Sequence, residues 1–430
     1  MYRTKINNLI KWKLAKKRKP LVFLGARQVG KTWLIKEFGK IEYKQIAYIN
    51  FEHPNAPKNL FETDFDTDRI VTVLNAYCNI KISTADTLIV FDEIQAAAGA
   101  ITSLKYFYET APEYHIIAAG SLLGVNIHPG ESFPVGKVDF MKLYPMSFYE
   151  FLLAMGETGI AELLEKGDLK NLNFFNSKLI NFIRYYLYVG GMPEAVEDFV
   201  ENRDWRQVRK IQNQILESYR SDFSKHAPRE ILPRINMVWD SIPAQLAKEN
   251  KKFIYGVIKE GARAKDFELA IQWLTDSGLL HKVYNTSKPA LPLVAYQELS
   301  AFKLFHNDVG LLGAMSRLNA KIIANLDAIF EEFKGALAEQ YVFQQLIQKE
   351  NLSIYYHTFD RSKYELDFLI QNDNKIIPVE VKAGKNLQAT SFKLFCQKHN
   401  PQTAIRISLA DYKEEESMTN VPLYAINSIL

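Results

Sequence analysis

The glycine-rich segment GARQVGKT, residues 25–32, constrains the fold of this chain more than any other feature of its sequence. It follows the apolar run LVFL at 21–24 and precedes the amphipathic segment WLIKEF at 33–38, so it joins a strand to a helix. Gly25 and Gly30 permit backbone conformations that turn successive N–H groups towards one concavity. The positive end of the following helix dipole faces the same concavity. The segment therefore predicts a phosphate-binding loop of the P-loop type.

Two side chains of this loop have specific predicted roles. Lys31 is expected to neutralise the β- and γ-phosphates of ATP and so to act in catalysis, and Thr32 to offer its hydroxyl to Mg²⁺. Arg27 receives no specific role. The predicted nucleotide-binding residues are Gly25, Ala26, Arg27, Gln28, Val29, Gly30, Lys31, Thr32 and Trp33.

Two acidic residues end the apolar run TLIVFDE at 87–93. Ligands of parallel sheets bind at the carboxyl ends of the strands, which is where Asp92 and Glu93 lie. Asp92 is predicted to hold Mg²⁺ through water, and Glu93 to orient or deprotonate the attacking water. Burying two adjacent carboxylates for structure alone would be costly. The sequence thus predicts binding of ATP and ADP, with Mg²⁺ as cofactor.

Ser121 follows the fourth apolar run, HIIAAG at 115–120. A polar side chain at this point is placed to reach the γ-phosphate or the attacking water, so a catalytic role is predicted for it. The alternative is a simple helix N-cap, a common position for serine. The sequence leaves both roles open.

The hydrophobic pattern predicts an α/β protein with several domains. Four short apolar runs alternate with amphipathic segments between residues 20 and 121, as in parallel strands covered by helices on both faces. Residues 253–283 have the helix, turn, helix and strand order of a winged helix-turn-helix. We therefore predict a P-loop doubly wound parallel sheet (1–147), a helical lid (148–236), a winged-helix domain (237–315) and a small C-terminal α/β domain (316–430).

Length and composition are those of a globular protein. Of the 430 residues, 47% are hydrophobic and 24% charged, a mix that excludes disordered, collagen-like and disulfide-scaffold classes. The net charge of +4 is too small to indicate a polyanionic partner by itself. With only two cysteines, no apolar signal core and no membrane-length apolar run, we expect a cytoplasmic protein without membrane contact.

Several motifs together resemble a family of bacterial and archaeal AAA+-type ATPases whose C-terminal half is usually a domain of unknown function. The glycine-rich loop, the Asp-Glu strand end and Ser121 are part of this resemblance. The other motifs are SFPVGKV…LYPMSFYEF (132–151), GGMPEAV (190–196), SDFSKH (221–226), KLFHNDVGLL (303–312) and EVKAG (380–384). The resemblance covers nearly the whole chain and implies an AAA+-type ATPase domain over residues 1–147.

One position departs from the pattern expected of this family. Gly136-Lys137 stands where many relatives are expected to carry Gly-Arg. An arginine there would act as a finger on a neighbouring subunit's nucleotide, whereas lysine lacks the bidentate fork. Self-association therefore remains open.

Four charged residues of the C-terminal module form a second candidate site. Glu380 and Lys382 lie two apart on a predicted strand and share one face. Asp367 lies on another strand, and Glu339 on a helix with apolar neighbours. Their order resembles the PD-(D/E)xK phosphodiesterase core of restriction-endonuclease-like folds, which implies a second Mg²⁺. The alternative is an inactive scaffold, or a module that binds DNA or protein without cutting.

Two basic clusters bear on a DNA partner. Six of the nine residues from 11 to 19 are basic, typical of a solvated helix face and also of a DNA contact. The second cluster precedes and begins the second helix of the winged-helix candidate: Lys248, Lys251, Lys252, Lys259, Arg263 and Lys265. Asp266 and Glu268 on that helix would repel phosphates, and winged helices also dock proteins.

The leading hypothesis is a Mg²⁺-dependent ATPase whose nucleotide state controls winged-helix and nuclease-like modules on DNA. The alternative is a nucleotide-dependent switch that docks a protein partner, with a non-catalytic C-terminal domain. A third hypothesis is an ATP-regulated endonuclease. A steep salt dependence of DNA affinity distinguishes the first hypothesis from the second.

Overall fold

The computed structural model describes residues 1–120, 134–246, 252–318, 335–359, 364–384 and 390–428. The chain divides into two units. The first comprises Tyr2–Tyr144 and Asp276–Gly278, and the second comprises Met1, Pro145–Thr275 and Leu279–Leu430. Within the described ranges, every helix is too short or too polar to cross a lipid bilayer.

The described part of the first unit contains a parallel sheet of five strands in the order β2-β3-β4-β1-β5. Its strands are β1 (Leu21–Leu24), β2 (Gln45–Asn50), β3 (Thr87–Asp92), β4 (His115–Ala119) and β5 (Asp139–Lys142). Its helices are α1 (Ile6–Leu14), α2 (Lys31–Glu42), α3 (Thr67–Cys78) and α4 (Ala100–Thr110). Every residue of β3 is buried, as expected for a strand covered on both faces. The predicted α/β class is confirmed.

This sheet brings the glycine-rich loop and the two acids to one edge. Asp92 pairs with Ala119 of β4, and Phe23 of β1 pairs with the same residue on the other side. Because all the strands run in one direction, residues 25–32 and Asp92 lie at the carboxyl edge, on either side of β4. Ser121 follows β4 closely but lies outside the described residues.

The second unit begins with helices. They are α5 (Phe148–Ala154), α6 (Thr158–Glu165), α7 (Leu169–Leu172), α8 (Asn176–Val189), α9 (Pro193–Asn202), α10 (Trp205–His226), α11 (Leu232–Leu246), α12 (Tyr255–Ile258) and α13 (Ala264–Asp276). The sequence predicts one buried stripe on α10 from the spacing of Val208, Ile211, Ile215 and Tyr219. All four side chains are buried, so this prediction is confirmed.

An eight-stranded mixed sheet follows, in the order β12-β13-β11-β10-β9-β8-β6-β7. Its strands are β6 (Leu280–Thr286), β7 (Gln297–His306), β8 (Leu352–Phe359), β9 (Tyr364–Asn372), β10 (Lys375–Val381), β11 (Ile405–Ser408), β12 (Lys413–Glu414) and β13 (Thr419–Pro422). Further helices of the unit are α14 (Val309–Met315), α15 (Ala336–Leu346) and α16 (Thr390–His399). Tyr284 of β6 pairs in parallel with Tyr355 of β8, so strands of the winged-helix candidate and of the C-terminal module share one sheet. The predicted domain boundaries remain predictions.

The carboxylate of Asp308 connects two motifs, GGMPEAV and KLFHNDVGLL, to which the sequence assigns no chemistry. Its carboxylate is fully buried and accepts hydrogen bonds from the backbone N–H of Gly191 (2.6 Å) and Leu311 (3.0 Å) and from Nε2 of Gln344 (2.9 Å). A Cβ on Gly190 would lie 2.1 Å from the same carboxylate. The motifs GGMPEAV and KLFHNDVGLL thus meet at one buried acid, and their described contacts are structural.

Candidate functional site

The glycine-rich loop has the backbone of a phosphate cradle. Gly30 has φ = +92° directly before the first residue of α2, and Gly25 has φ = +151°. A Cβ on Gly25 would lie 2.3 Å from the carbonyl oxygen of Leu143, so no other residue fits there without a shift. Gln28 also adopts a left-handed backbone, at φ = +67°. Such strain in a non-glycine residue is typical of functional loops.

The ammonium of Lys31 is buried at the centre of this loop. Its Nζ donates to the carbonyl oxygens of Gly25 (2.7 Å) and Ala26 (2.9 Å). Burial lowers the pKa of Lys31 to about 8, although the nearby Glu93 and Asp92 carboxylates oppose the shift. The carbonyl oxygens of the loop thus hold the Lys31 ammonium in place. Phosphate oxygens of a bound nucleotide would replace these carbonyls as its hydrogen-bond acceptors.

Thr32 and Asp92 meet at the start of α2. The Thr32 hydroxyl donates to Oδ2 of Asp92 at 2.9 Å, and the Tyr48 hydroxyl donates to the same oxygen at 2.5 Å. Hydroxyl and carboxylate oxygens are the ligands that Mg²⁺ prefers, so this donor set fits the metal that accompanies ATP. Burial, followed by the bond to Asp92, raises the pKa of Tyr48.

Glu93 has an unusual backbone at the end of β3. Its φ and ψ are both 47°, a left-handed conformation that is uncommon outside glycine. Its Oε2 accepts a hydrogen bond of 2.7 Å from Nε2 of Gln95. Strained backbone of this kind is common at active sites, and the role predicted for Glu93 stays a prediction.

Most of the predicted site residues of the first unit therefore lie at one sheet edge. Ala26 and Val29 are buried under the loop, while Arg27 and Trp33 are exposed. Ser121 lies outside the described residues, so its two predicted roles remain predictions. Lys137, which replaces the expected arginine, forms an ion pair of 2.9 Å with Glu109.

Sequence reasoning missed two supporting residues of this site. Tyr48 positions Asp92, and the buried Arg3 donates to the carbonyl oxygens of Val29 (2.7 Å) and Tyr144 (2.6 Å). The alternation of polar and apolar residues on β2 gives Tyr48 no functional signal. Arg3 lies in a basic N-terminal stretch, and only folding brings it under the loop.

The four residues of the second candidate site also come together, in the second unit. Glu380 Oε1 and Lys382 Nζ are 2.7 Å apart, and Asp367 Oδ2 accepts the backbone N–H of Val381 at 2.7 Å. Glu339 lies 3.7 Å from the ammonium of Lys303, a buried lysine that the sequence analysis missed as a site residue. In the described ranges, no three His, Cys, Asp or Glu side chains are grouped so that they could hold a metal ion.

The low pKa of Lys31 predicts how ATP affinity depends on pH. The ammonium is charged below about pH 8 and loses its proton above it, so ATP affinity should fall as pH rises from 8 to 9.5. Equilibrium titration with a fluorescent ATP analogue over this range measures the change. Lys31→Arg is the control, because a guanidinium stays charged throughout and should give a flat profile. A flat wild-type profile would contradict the prediction.

Three segments of the chain match known families. Residues 17–152 match the family described as AAA domain. Residues 180–322 match a domain of unknown function (DUF8612), and residues 334–426 match another (DUF4143). No curated protein matches this sequence.

Solved structures similar to the chain include the Walker-type ATPase PABY2304 of Pyrococcus abyssi, at 14% identity over 73% of this chain and 95% of that chain, with a TM-score of 0.43. The Aeropyrum pernix ORC1 protein in complex with DNA is 13% identical over 76% of this chain and 95% of that one, with a TM-score of 0.28. Drosophila ORC bound to DNA is 15% identical over 73% of this chain and 95% of that chain, also with a TM-score of 0.28. Such low scores identify neither a substrate nor a partner.

The family matches and the geometry of the first unit agree. The match over residues 17–152 contains the glycine-rich loop, Lys31, Asp92 and Glu93. The five-stranded parallel sheet places them at its carboxyl edge. Residues 17–152 therefore form an AAA-type P-loop ATPase domain, and residues 180–322 and 334–426 match two domains of unknown function.

Proposed function

We propose that the chain hydrolyses ATP to ADP and phosphate in a magnesium-dependent reaction in the cytoplasm. The observation that supports this best is the bond between the Thr32 hydroxyl and Asp92, beside the buried ammonium of Lys31. These groups match the phosphate, metal and catalytic positions of a P-loop site. The AAA domain match supports the same reaction.

In this proposal each group has one task. The backbone N–H groups of residues 25–33 bind phosphate oxygens, and Lys31 moves its ammonium from the loop carbonyls to the β- and γ-phosphates. Thr32 and Asp92 would hold the Mg²⁺ that accompanies ATP, which would neutralise phosphate charge. Glu93 orients the attacking water and accepts its proton. Ser121 keeps the roles that the sequence leaves open, at the γ-phosphate or the attacking water or as a helix cap.

We further propose that the nucleotide state controls the second unit and that this unit acts on DNA. Lys259, Arg263 and Lys265 are exposed before and at the start of α13. A helix with basic residues at its start, followed by the β6–β7 hairpin, suits a winged helix that contacts phosphates. Lys13 of the N-terminal basic run instead pairs with Glu42 at 3.0 Å, so at least part of that run is used inside the first unit.

The test of this function is ATP turnover by the purified full chain, with and without duplex DNA, together with the salt dependence of DNA binding. We expect DNA to stimulate turnover. Replacing Arg263 and Lys265 by alanine together should weaken binding to all sequences and reduce the salt slope by about two. The matched control replaces the exposed Lys166 and Lys170 by alanine together. This variant should leave DNA binding and its salt slope unchanged.

One observation favours the protein-docking alternative. Leu269 on α13 is 67% exposed, and the acidic residues Asp266 and Glu268 precede it by three residues and by one. An apolar and acidic helix face suits a protein better than a phosphate backbone. Turnover that ignores DNA, with no salt-dependent DNA binding, would replace the DNA proposal by a switch that docks a protein.

A further inference from the structure

Lys303 is a lysine that the fold buries completely. It lies on β7 and none of its side chain is exposed. Its Nζ is 2.6 Å from Oε1 of Glu365 and 3.7 Å from Oε2 of Glu339, and it lies 4.8 Å from the ring centre of Tyr356. An ammonium removed from water costs several kcal/mol unless carboxylates compensate it. The two glutamates are those partners.

The charges around Lys303 keep it protonated. Burial alone would lower the pKa of Lys303, but the carboxylates of Glu365, Glu339 and Asp367 outweigh burial and raise it. Glu339 and Asp367 are two of the acids that the PD-(D/E)xK resemblance assigns to a metal. A fixed positive charge therefore already lies among the acids of the second candidate site.

The third acid of that site has its own cation. Glu380 lies 2.7 Å from the ammonium of Lys382, and both groups are on β10 or directly after it. Burial raises the pKa of Glu380, although Lys382 opposes the shift. Oε2 of Glu380 is buried and has no hydrogen-bond partner in the described part of the chain. It is therefore an oxygen that is available as a metal ligand.

This arrangement does not fit the second Mg²⁺ that the resemblance implies. Mg²⁺ requires close to octahedral oxygen coordination at about 2.0–2.1 Å. No group of three acidic, His or Cys side chains suited to a metal occurs in the described ranges. A dication next to Glu339 would also face the ammonium of Lys303, 3.7 Å from the same carboxylate.

We propose that Lys303 is a built-in counterion that takes the place of the divalent cation, so that the C-terminal module assembles without metal and does not cleave phosphodiesters. The lysine comes from the segment that matches one domain of unknown function (180–322). Glu339, Glu365 and Asp367 come from the segment that matches the other (334–426). The charge cluster therefore fastens the two segments to each other across the shared sheet.

The stability arm of the test uses thermal unfolding of the full chain without nucleotide. Lys303→Met leaves the buried Glu339 and the part-buried Glu365 uncompensated and should lower the Tm by on the order of 10 °C. Combining it with Glu365→Gln removes a charge of each sign and should recover part of that loss. The control Lys375→Met replaces an exposed lysine of the same sheet and should leave the Tm unchanged. If Lys303→Met unfolds no earlier than this control, the counterion role is overturned.

The metal arm does not depend on whether Lys303→Met folds. Mn²⁺ binding is measured by electron paramagnetic resonance on an Asp92→Asn background, without nucleotide, so that the site of the first unit does not contribute. We expect no saturable Mn²⁺ binding and the same Tm in Mn²⁺ as in EDTA. Saturable binding that disappears on Glu380→Gln would overturn the proposal. Magnesium-dependent DNA cleavage that is lost in Asp367→Asn would do the same.

Discussion

Lys31→Ala is expected to abolish ATP binding at ordinary nucleotide concentrations. The phosphates would lose the one buried ammonium that lies inside the described loop. Losing one partner of a buried charge pair costs about 2–5 kcal/mol, which weakens affinity by about thirtyfold to several thousandfold. Isothermal titration calorimetry with ATP and Mg²⁺ measures the change.

The matched control for this change is Lys40→Ala. Lys40 lies on the same helix, α2, but its side chain is 71% exposed and pairs only loosely with Glu37, at 3.8 Å. This variant should bind ATP as the wild type does. Thermal unfolding without nucleotide should show that Lys31→Ala remains folded, because removing a buried cation also removes its desolvation cost. Unchanged ATP affinity in folded Lys31→Ala would remove Lys31 from the site.

Glu93→Gln is expected to bind ATP normally and to lose turnover by about 10²–10⁴-fold, the usual contribution of a general base. Glutamine has the same shape, and its side-chain oxygen can still accept the bond from Gln95. What it lacks is the charge that orients water and the capacity to take its proton. Phosphate release under saturating ATP measures turnover, and calorimetry measures affinity.

The control for Glu93 is Glu62→Gln, an exposed glutamate of the same unit. It should leave both turnover and affinity at wild-type values. Full turnover in Glu93→Gln would assign the catalytic carboxylate to another residue. Loss of ATP affinity in the same variant would instead show that Glu93 contributes to binding.

Much of the first unit can be predicted from the sequence because its signals are local. A glycine-rich loop between an apolar strand and a helix specifies its own backbone, and Gly25 and Gly30 have the positive φ values that the loop requires. Asp92 and Glu93 are adjacent to each other at a strand end. Tyr48 could not be predicted, because its role depends on the distance of its hydroxyl from Asp92 and not on any sequence pattern.

The C-terminal site could be predicted from the sequence only in part. The order of Glu339, Asp367, Glu380 and Lys382 suggested a metal site, and the structure does bring these residues together. Their environment is decided by Lys303, which lies 36 residues before Glu339 in the sequence. The spacing of residues in the sequence predicts which carboxylates share a strand face. It does not predict which distant cation the folded sheet places among them.

The sequence by itself determined the phosphate-binding loop, the acidic strand end and the parallel α/β sheet, because each follows from neighbouring residues and a short repeat of apolar positions. Only the tertiary structure decided that Asp308 bonds to Gly191, 117 residues before it, and that Lys303 lies between Glu339 and Glu365. Burial is the physical reason. A charge in water tolerates many neighbours, whereas a buried charge requires particular partners, and the fold alone supplies them.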